Sequence, residues 1–306
     1  MPKLKLELEA ISPLFLHGTD PRGEPEWRAP SVRGQLRYWL RAIEGARQGG
    51  RLDRVWEKES AVFGSTGQGS AVMVRTLIRR KEAERQYLLP HRTNERERSP
   101  EKAILAGSRL SLSFVTRPGV PLPSTALETV AVWLLLGGAG KRSRRMMGSL
   151  SVIKASESAA GNWWDDAATV PALVESARQQ LRTVFPADPA PMPVPEFPTL
   201  HPKHSWVLIG RETFGSAEDA NKALFGLLRS DPFRDNPVFG SVHGGRRASP
   251  LIAQVRQVDD ELVPVLTAMR SASHGAKPLN WAVMNRFMEV ATQSFSAETV
   301  WGGPLA

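Results

Sequence analysis

The chain has 306 residues, of which 40 are Lys or Arg and 31 are Asp or Glu, so its formal net charge is +9. With 41% hydrophobic and 23% charged residues, the composition is globular and excludes a generally disordered chain. The absence of Cys excludes a disulfide scaffold, a zinc–thiolate finger, an iron–sulfur protein and a cysteine nucleophile. The start MPKLKLELEA lacks the apolar stretch of a signal peptide, and no apolar run is long enough to cross a membrane. We therefore expect a cytoplasmic protein that does not contact the membrane.

The positive charge lies in the first half of the chain. Residues 1–154 contain 27 Lys and Arg against 15 Asp and Glu, a net charge of +12, whereas residues 155–306 contain 13 and 16, a net charge of −3. A basic excess of this kind favours a polyanionic partner. Arg outnumbers Lys by 30 to 10, which suits phosphate binding and base stacking, although a GC-rich genome would produce the same bias.

The periodicity of the first half predicts four strands and two helices. Charged and apolar residues alternate over residues 3–11, which predicts the first strand. Ser31 is a favourable N-cap and precedes a predicted helix over residues 32–46. The other predicted elements are strands at 70–79, 109–116 and 149–155, a helix at 125–136 closed by two glycines, and an exposed hairpin or disordered insertion at 79–102.

The order β-α-β-β-α-β of these elements is that of the ferredoxin-like fold of RRM-type RNA-binding domains. The second half offers helices near 171–184, 217–228 and 279–292, strands at 205–210 and 251–258, and a proline-rich connector at 187–202. We therefore predict an α+β protein with two ferredoxin-like modules, the second degraded, which occupy residues 1–160 and 161–306.

A stripe of arginines follows one side of the first predicted helix. Arg33, Arg37 and Arg41 are spaced by four residues and therefore share one helix face, while leucines face the core. Arg28 and Ser31 lie at the amino-terminal end of the helix, where free N–H groups attract anions. The stripe predicts phosphate contacts; the alternative is a solvated face whose arginines pair with nearby Glu residues.

A glycine-rich basic segment, GGAGKRSRRMMGS, occupies residues 137–149. Its glycines allow a phosphate backbone to approach closely, and its four cations neutralise that backbone. A Walker A loop is not favoured, because an Arg follows the Lys where Ser or Thr is required. The segment GGRRASP at 244–250 repeats the glycine–arginine theme. The RNA-binding residues predicted in these two segments are Lys141, Arg142, Arg144, Arg145, Arg246 and Arg247.

Few residues are candidates for catalysis. Asp20 could hold Mg²⁺ or help to activate a 2′-hydroxyl, and His17 could act as a general base, but the pattern does not pair an acid with a base. His201 and His204 lack thiolates or carboxylates at ligand spacing, so zinc is not predicted. We expect no catalytic residue, no metal and no cofactor.

Six segments of the chain occur in an order that is typical of one family. They are ISP and FLHG within 11–18, WRAPSVRG at 27–34, LRYWLRA at 36–42, VFGST at 62–66, GGAGKRSRR at 137–145 and RRASP at 246–250. Together they resemble the first RAMP subunit of the type III-B CRISPR effector, the Cmr complex. The resemblance covers most of the chain except residues 155–200. Where the family loop usually ends in Gly-aromatic-Gly, this chain has Met146, Met147 and Gly148.

The resemblance implies two ferredoxin-like modules and a non-catalytic role near the 3′ end of the guide RNA, beside other RAMP subunits. The ribonucleoprotein would recognise invading RNA, and the basic helix and glycine loop would contact guide or target RNA. Two alternatives stay open at this point. One is an endoribonuclease of the same superfamily that cuts guide precursor or target RNA; the other is a scaffold whose arginines meet acidic protein neighbours.

Overall fold

The computed structural model describes residues 4–87, 100–156, 167–241, 247–272 and 279–306. The elements of the first half are β1 (Leu4–Ala10), α1 (Ala29–Arg47), α2 (Leu52–Phe63), β2 (Met73–Arg80), β3 (Ala83–Gln86), β4 (Glu101–Ile104), β5 (Arg109–Val115), α3 (Ser124–Leu136) and β6 (Leu150–Ala155). Those of the second half are α4 (Val170–Val184), β7 (Ser205–Ile209), α5 (Ala217–Arg229), a 3₁₀ turn (Pro237–Phe239), β8 (Leu251–Val258), β9 (Glu261–Met269), α6 (Trp281–Ser294) and β10 (Glu298–Gly302).

The first sheet has the strand order β2-β5-β1-β6, and its strands pair antiparallel. In β1, Leu4, Leu6 and Leu8 are fully buried, whereas Lys5 and Glu7 between them are partly exposed. The alternation therefore predicted this strand correctly, because it has one face in the core and one towards solvent. The helices α1 and α3 complete a β-α-β-β-α-β arrangement, into which α2 and the β3-β4 hairpin are inserted.

The second sheet has the strand order β10-β7-β9-β8. If the four strands of each module are numbered 1 to 4 along the chain, both sheets have the order 2-3-1-4. The sequence pattern revealed only two of these four strands, since β9 and β10 were not predicted. The α+β class with two ferredoxin-like modules is confirmed. The predicted boundary between residues 160 and 161 lies outside the described residues, so the division of the chain at that point stays a prediction.

Two features of the first half differ from the sequence prediction. The helix α1 begins at Ala29 and has Arg28 as its N-cap residue, so the prediction of Ser31 as the cap was wrong. Pro30 explains the difference, because proline fits the first helical turn, where its missing N–H is not needed. The helix α2 was not predicted at all. The hairpin predicted within residues 79–102 is present as β3 and β4, while residues 88–99 lie outside the described part.

The two modules share one apolar core. Trp39 of α1 and Trp133 of α3 are almost completely buried, and they belong to the same cluster as Val207 of β7 and Val265 of β9. Polar contacts also cross the junction, since Ser149 Oγ donates to Gln254 Oε1 over 2.6 Å. The end of α3 and the loop that follows it are therefore held by residues of the second half. Within the described residues, none of the helices is long and apolar enough to cross a membrane.

The proline-rich connector is held by two buried histidines. His201 Nε2 donates to the carbonyl of Ala190, and His204 Nε2 donates to that of Met192, each over 3.1 Å. His201 Nδ1 accepts from the backbone N–H of Lys203 at 3.2 Å, which requires the neutral ring. Burial of the ring is the main reason that the pKa of His201 lies below its ordinary value.

This arrangement predicts a stability loss in mild acid. Because the pKa of His201 is lower in the folded than in the unfolded chain, its contribution is complete above about pH 6.5 and is lost as the pH falls towards the folded pKa. We expect the urea midpoint of the wild type to fall more between pH 7.5 and 5.5 than that of His201→Gln, whose amide does not titrate. Equal falls in the two proteins would contradict this assignment.

Candidate nucleic-acid interface

The glycine loop, residues 137–149, makes close backbone contacts with the segment that follows β1. Gly140 and Gly148 have positive φ angles of 84° and 68°. A Cβ atom at Gly140 would lie 2.5 Å from the carbonyl oxygen of Phe15, and one at Gly148 would lie 1.8 Å from that of Ala139. Both positions therefore require glycine. The backbone N–H of Gly148 also donates to Pro13 over 2.9 Å.

Met146 stands where the resembling family usually has glycine, and it keeps a left-handed backbone with φ of 62°. Its N–H donates to the carbonyl of Ala253 in β8 over 2.8 Å, and its side chain is fully buried among residues of the second module. The loop therefore keeps a left-handed backbone at this position without the glycine, and its close backbone contacts are with the protein itself.

The glycine loop forms one wall of a cleft of about 660 Å³, which we call the basic cleft. The opposite wall comes from residues 239–241 and 247–249, so the cleft joins two basic segments that are about a hundred residues apart in sequence. None of the described residues that line it is acidic. The lining residues are Arg142, Ser143, Arg144, Arg145, Phe239, Gly240, Ser241, Arg247, Ala248 and Ser249.

Arg145 is committed to the fold. Its Nη1 donates to the carbonyl of Leu251 over 3.1 Å, and its Nη2 donates to that of Phe239 over 2.9 Å. Burial is the main cause that lowers the pKa of Arg145 to about 10, with a smaller effect from the charges of Arg142 and Arg144. The residue is therefore still a cation at neutral pH, but its donors hold the two walls of the cleft together.

Arg144 and Arg247 contribute charge to the cleft with fewer internal contacts. The Arg144 guanidinium lies 5.1 Å from the ring centroid of Tyr38 and donates to the carbonyl of Ser249. Burial raises the pKa of Tyr38, which therefore stays a neutral phenol. Arg247 Nη2 donates to Pro237 over 3.2 Å, while its Nε is buried and lacks a hydrogen-bond partner.

The remaining basic residues of the two glycine segments differ in their surroundings. Arg142 is half-buried at the cleft with a φ of 61°. Lys141 lies outside the lining, where its Nζ contacts the carboxylate of Glu101 and the carbonyl of Pro21. Arg246 lies outside the described residues.

The arginine stripe on α1 is largely paired within the chain. Arg37 Nη1 lies 2.5 Å from Glu59 Oε1, and its Nη2 donates to the carbonyls at 63 and 64. Arg41 Nη2 donates to the same carboxylate over 2.9 Å, although half of its side chain is exposed. The alternative of arginines paired with Glu therefore applies to these two, but their partner is Glu59 on α2, the helix that the pattern did not reveal, and not a Glu close to the stripe in sequence.

The amino-terminal end of the stripe is less constrained. Arg33 is half-buried, and its Nε has no hydrogen-bond partner. Arg28 Nε lies 3.4 Å from Glu26 Oε2, and its Nη1 donates to His17 over 3.3 Å. Ser31 is a half-buried residue of the first helical turn.

Glu59 is the buried acid on which the stripe depends. Burial raises its pKa, but hydrogen bonds from Arg41 and Arg37 outweigh burial and hold the pKa of this carboxyl below its ordinary value. Its contribution to stability is therefore complete above about pH 4.5 and is lost as the pH falls through the folded pKa.

We expect Glu59→Gln to lower the free energy of unfolding by about 1–3 kcal/mol at pH 7, since it leaves two arginines without their counterion, one of them well exposed to solvent. The difference from the wild type should shrink below about pH 4.5. Urea denaturation at pH 7 and pH 3.5 measures both effects. Glu57→Gln on the same helix removes an exposed acid and is the control; an equal loss in the control would refute this role for Glu59.

The candidate catalytic residues do not meet as an acid–base pair. Asp20 is exposed, and its Oδ1 accepts from the backbone N–H of Arg22 over 2.9 Å. Both ring nitrogens of His17 are buried without a hydrogen-bond partner. Across the described ranges, no three His, Asp or Glu side chains are grouped as metal ligands would be.

Comparison with known proteins identifies relatives of this chain. The RAMP superfamily matches residues 7–151. The CRISPR system Cmr subunit Cmr1-2 of Pyrococcus furiosus is 30% identical in an alignment over 174 residues, and the match covers 48% of this chain and 92% of that relative. The chain belongs to the Cmr1 family of RAMP proteins. Subunit Cmr1-1 of the same organism is 31% identical in an alignment over 170 residues, and the match covers 50% of this chain and 48% of that protein.

Solved structures of low identity share the fold along nearly the whole chain. The crystal structure of apo Cmr1 from Pyrococcus furiosus has a TM-score of 0.70 at 22% identity and covers 98% of this chain and 99% of that one. A chain in the cryo-EM structure of the type III-B Cmr-beta complex bound to cognate target RNA has a TM-score of 0.65 at 12% identity, covering 95% and 99%. Both modules therefore belong to the shared fold.

Proposed function

We propose that the chain is a non-catalytic RNA-binding subunit of a type III-B CRISPR ribonucleoprotein. It would contact guide RNA near its 3′ end, target RNA, or both, beside other RAMP subunits in antiviral defence. The observation that carries this proposal is the basic cleft, where four arginines meet and none of the described lining residues is acidic. Concentrated positive charge of this kind binds phosphate backbones.

The family supports the biological setting of this proposal. The relatives of this chain in Pyrococcus furiosus are named as subunits of the Cmr system, and a chain of the same fold occurs in a complex bound to cognate target RNA. An RNA-binding subunit of such a complex needs a surface for a single strand. The basic cleft has the positive charge for that role.

We rank the proposed RNA-binding residues by the internal contacts that already occupy their donors. Arg144 and Arg247 line the cleft with few internal bonds, and Arg33 has no hydrogen bond or ion pair with the described residues, although its Nε is buried. The other proposed residues carry structural contacts, lie outside the described part or, like Ser31, carry no charge, and we expect smaller contributions from them. They are Arg28, Ser31, Arg37, Arg41, Lys141, Arg142, Arg145 and Arg246.

The non-catalytic part of the proposal rests on Asp20 and His17. The Asp20 carboxylate is exposed in its own turn, and the described structure gives it no hydrogen bond to His17. A general acid or base needs a neighbour that sets its protonation state or its orientation.

We expect the double variant Arg144→Gln/Arg247→Gln to bind single-stranded guide RNA about tenfold more weakly, because two charge-assisted contacts are lost. The slope of log K against log salt should become shallower by about 1.4, since each neutralised phosphate of a single strand contributes about 0.7. Filter binding or fluorescence anisotropy at several salt concentrations measures both values. Gln keeps a donor for the internal carbonyl contacts.

Arg211→Gln/Arg286→Gln is the matched control, because it removes the same charge from exposed ion pairs of the second module. If the control weakens binding as much as the cleft variant, the effect is one of net charge and the cleft is not the site. If the cleft variant binds RNA as tightly as the wild type, the cleft is likewise not the site. If the protein assembles with other subunits but never retains RNA, a protein-contacting scaffold replaces our proposal.

The same labelled RNAs decide the enzymatic alternative. Incubated with Mg²⁺, guide and target RNA should stay intact in the presence of the wild type. Cleavage by the wild type that Asp20→Ala abolishes would overturn the non-catalytic assignment.

A further inference from the structure

A second cavity lies at the junction of the two modules and shares no lining residue with the basic cleft. It has a volume of about 90 Å³ and lies between α3, β6, α4 and β8. Leucine and alanine side chains of α3 and α4 form much of its wall. Its polar lining side chains are Ser151, Ser176, Gln180, Arg256 and Gln257.

Arg256 distinguishes this lining, because it is a buried cation without an acidic partner among the described residues. Its exposed fraction is 7%. Nη2 donates to the carbonyl of Gly137 over 3.0 Å and Nη1 to that of Val255 over 2.7 Å, while Nε is buried without a hydrogen-bond partner. Among the described residues, no Asp or Glu forms an ion pair with it. Burial lowers the pKa of Arg256 to about 9, so the side chain is still charged at neutral pH.

A buried charge without a counterion is costly, and proteins normally offset it with an opposite charge. The two neutral carbonyls satisfy hydrogen bonds of Arg256 but not its charge. The cavity beside it offers hydroxyl and amide donors, and none of its described lining residues supplies a carboxylate. Its volume corresponds to about three water molecules, at about 30 Å³ each in the liquid. Charge, donors and size all suit one small oxyanion.

We propose that this junction cavity is an oxyanion site, in which the Arg256 guanidinium binds a phosphate-sized ion or the carboxylate of an acidic side chain from a partner. Ser151 and Ser176 supply further hydrogen bonds from β6 and α4. Since β6 belongs to the first module and β8 to the second, the bound anion connects the two modules. This inference is independent of RNA binding, because Arg256 is not among the proposed RNA contacts.

Thermal unfolding in phosphate tests the proposal directly. At constant ionic strength set with NaCl, and at a phosphate concentration ten times the dissociation constant, we expect the wild-type Tm to rise by about 2 °C. Arg256→Gln should lose this response while its amide still donates to Gly137. Ser176→Leu, which fills the cavity and keeps Arg256, should lose it too, and this variant decides the test if Arg256→Gln does not fold.

Arg211→Gln, which removes an exposed arginine that lines neither cavity, is the control and should retain the phosphate response. If Arg247→Gln loses the response and Arg256→Gln keeps it, phosphate binds the basic cleft and the proposal is wrong. A wild type that phosphate does not stabilise would also overturn it. Acetate that reproduces the shift identifies the carboxylate form of the ligand, whereas a response to phosphate alone identifies the free ion; both support the site.

The chain itself contains a possible competitor. Asp165 and Asp166 lie outside the described residues and shortly precede Ala167, which lines the cavity. If phosphate stabilises Asp165→Asn/Asp166→Asn but not the wild type, the chain fills its own site and the proposal of an external oxyanion fails. An equal response in both proteins supports it.

Discussion

The clamp that Arg145 forms between the glycine loop and the second module is the interaction on which the candidate site depends. One guanidinium binds the carbonyls of Leu251 and Phe239, while the backbone carbonyl of Arg145 accepts from Asn221 over 2.5 Å. These contacts place a loop of the first module against a segment of the second, and the space between them is the basic cleft. The cleft is therefore a product of both modules, and neither basic segment forms it alone. The sequence predicted Arg145 as an RNA contact, whereas in the structure its guanidinium holds the two walls of the cleft together.

Because many basic residues form contacts within the chain, the net charge is larger than the charge that is free to contact a partner. Residues 1–154 carry a net +12, yet Arg37 and Arg41 share the carboxylate of Glu59, and Arg47 contacts both Glu44 and Glu128. A paired arginine still adds to the long-range field that attracts a polyanion, but its donors are occupied. In the proposed function, close contacts with phosphate would come from arginines whose internal partners are neutral carbonyls, such as Arg144 and Arg247, because such partners use a donor and leave the charge uncompensated.

The sequence predicted the half-buried strands and the amphipathic helix α1 well, since each has one apolar and one polar face. The helix α2 was not predicted, because its inward face includes the charged Glu59, while Trp56 on the outer face is 64% exposed. The strand β9 contains Pro264, a residue that argues against a central strand. For the candidate site, the glycine loop and Arg247 were recognised as separate motifs. Their meeting in one cleft, and the contact of Arg144 with Tyr38, depend on long-range packing that no local pattern encodes.

Met146 shows how far the tertiary contacts determine the shape of the loop. A left-handed backbone costs a non-glycine residue about 1–2 kcal/mol, and glycine would avoid this cost. Complete burial of a methionine side chain contributes about 1.5–3 kcal/mol, and Met146 is fully buried in the second-module cluster. Packing therefore offsets the backbone strain, and the loop keeps its conformation without glycine at this position. Because that packing comes from residues of the second module, the conformation of the glycine loop is imposed by the junction, and the basic cleft and the junction cavity exist only where the two modules are together.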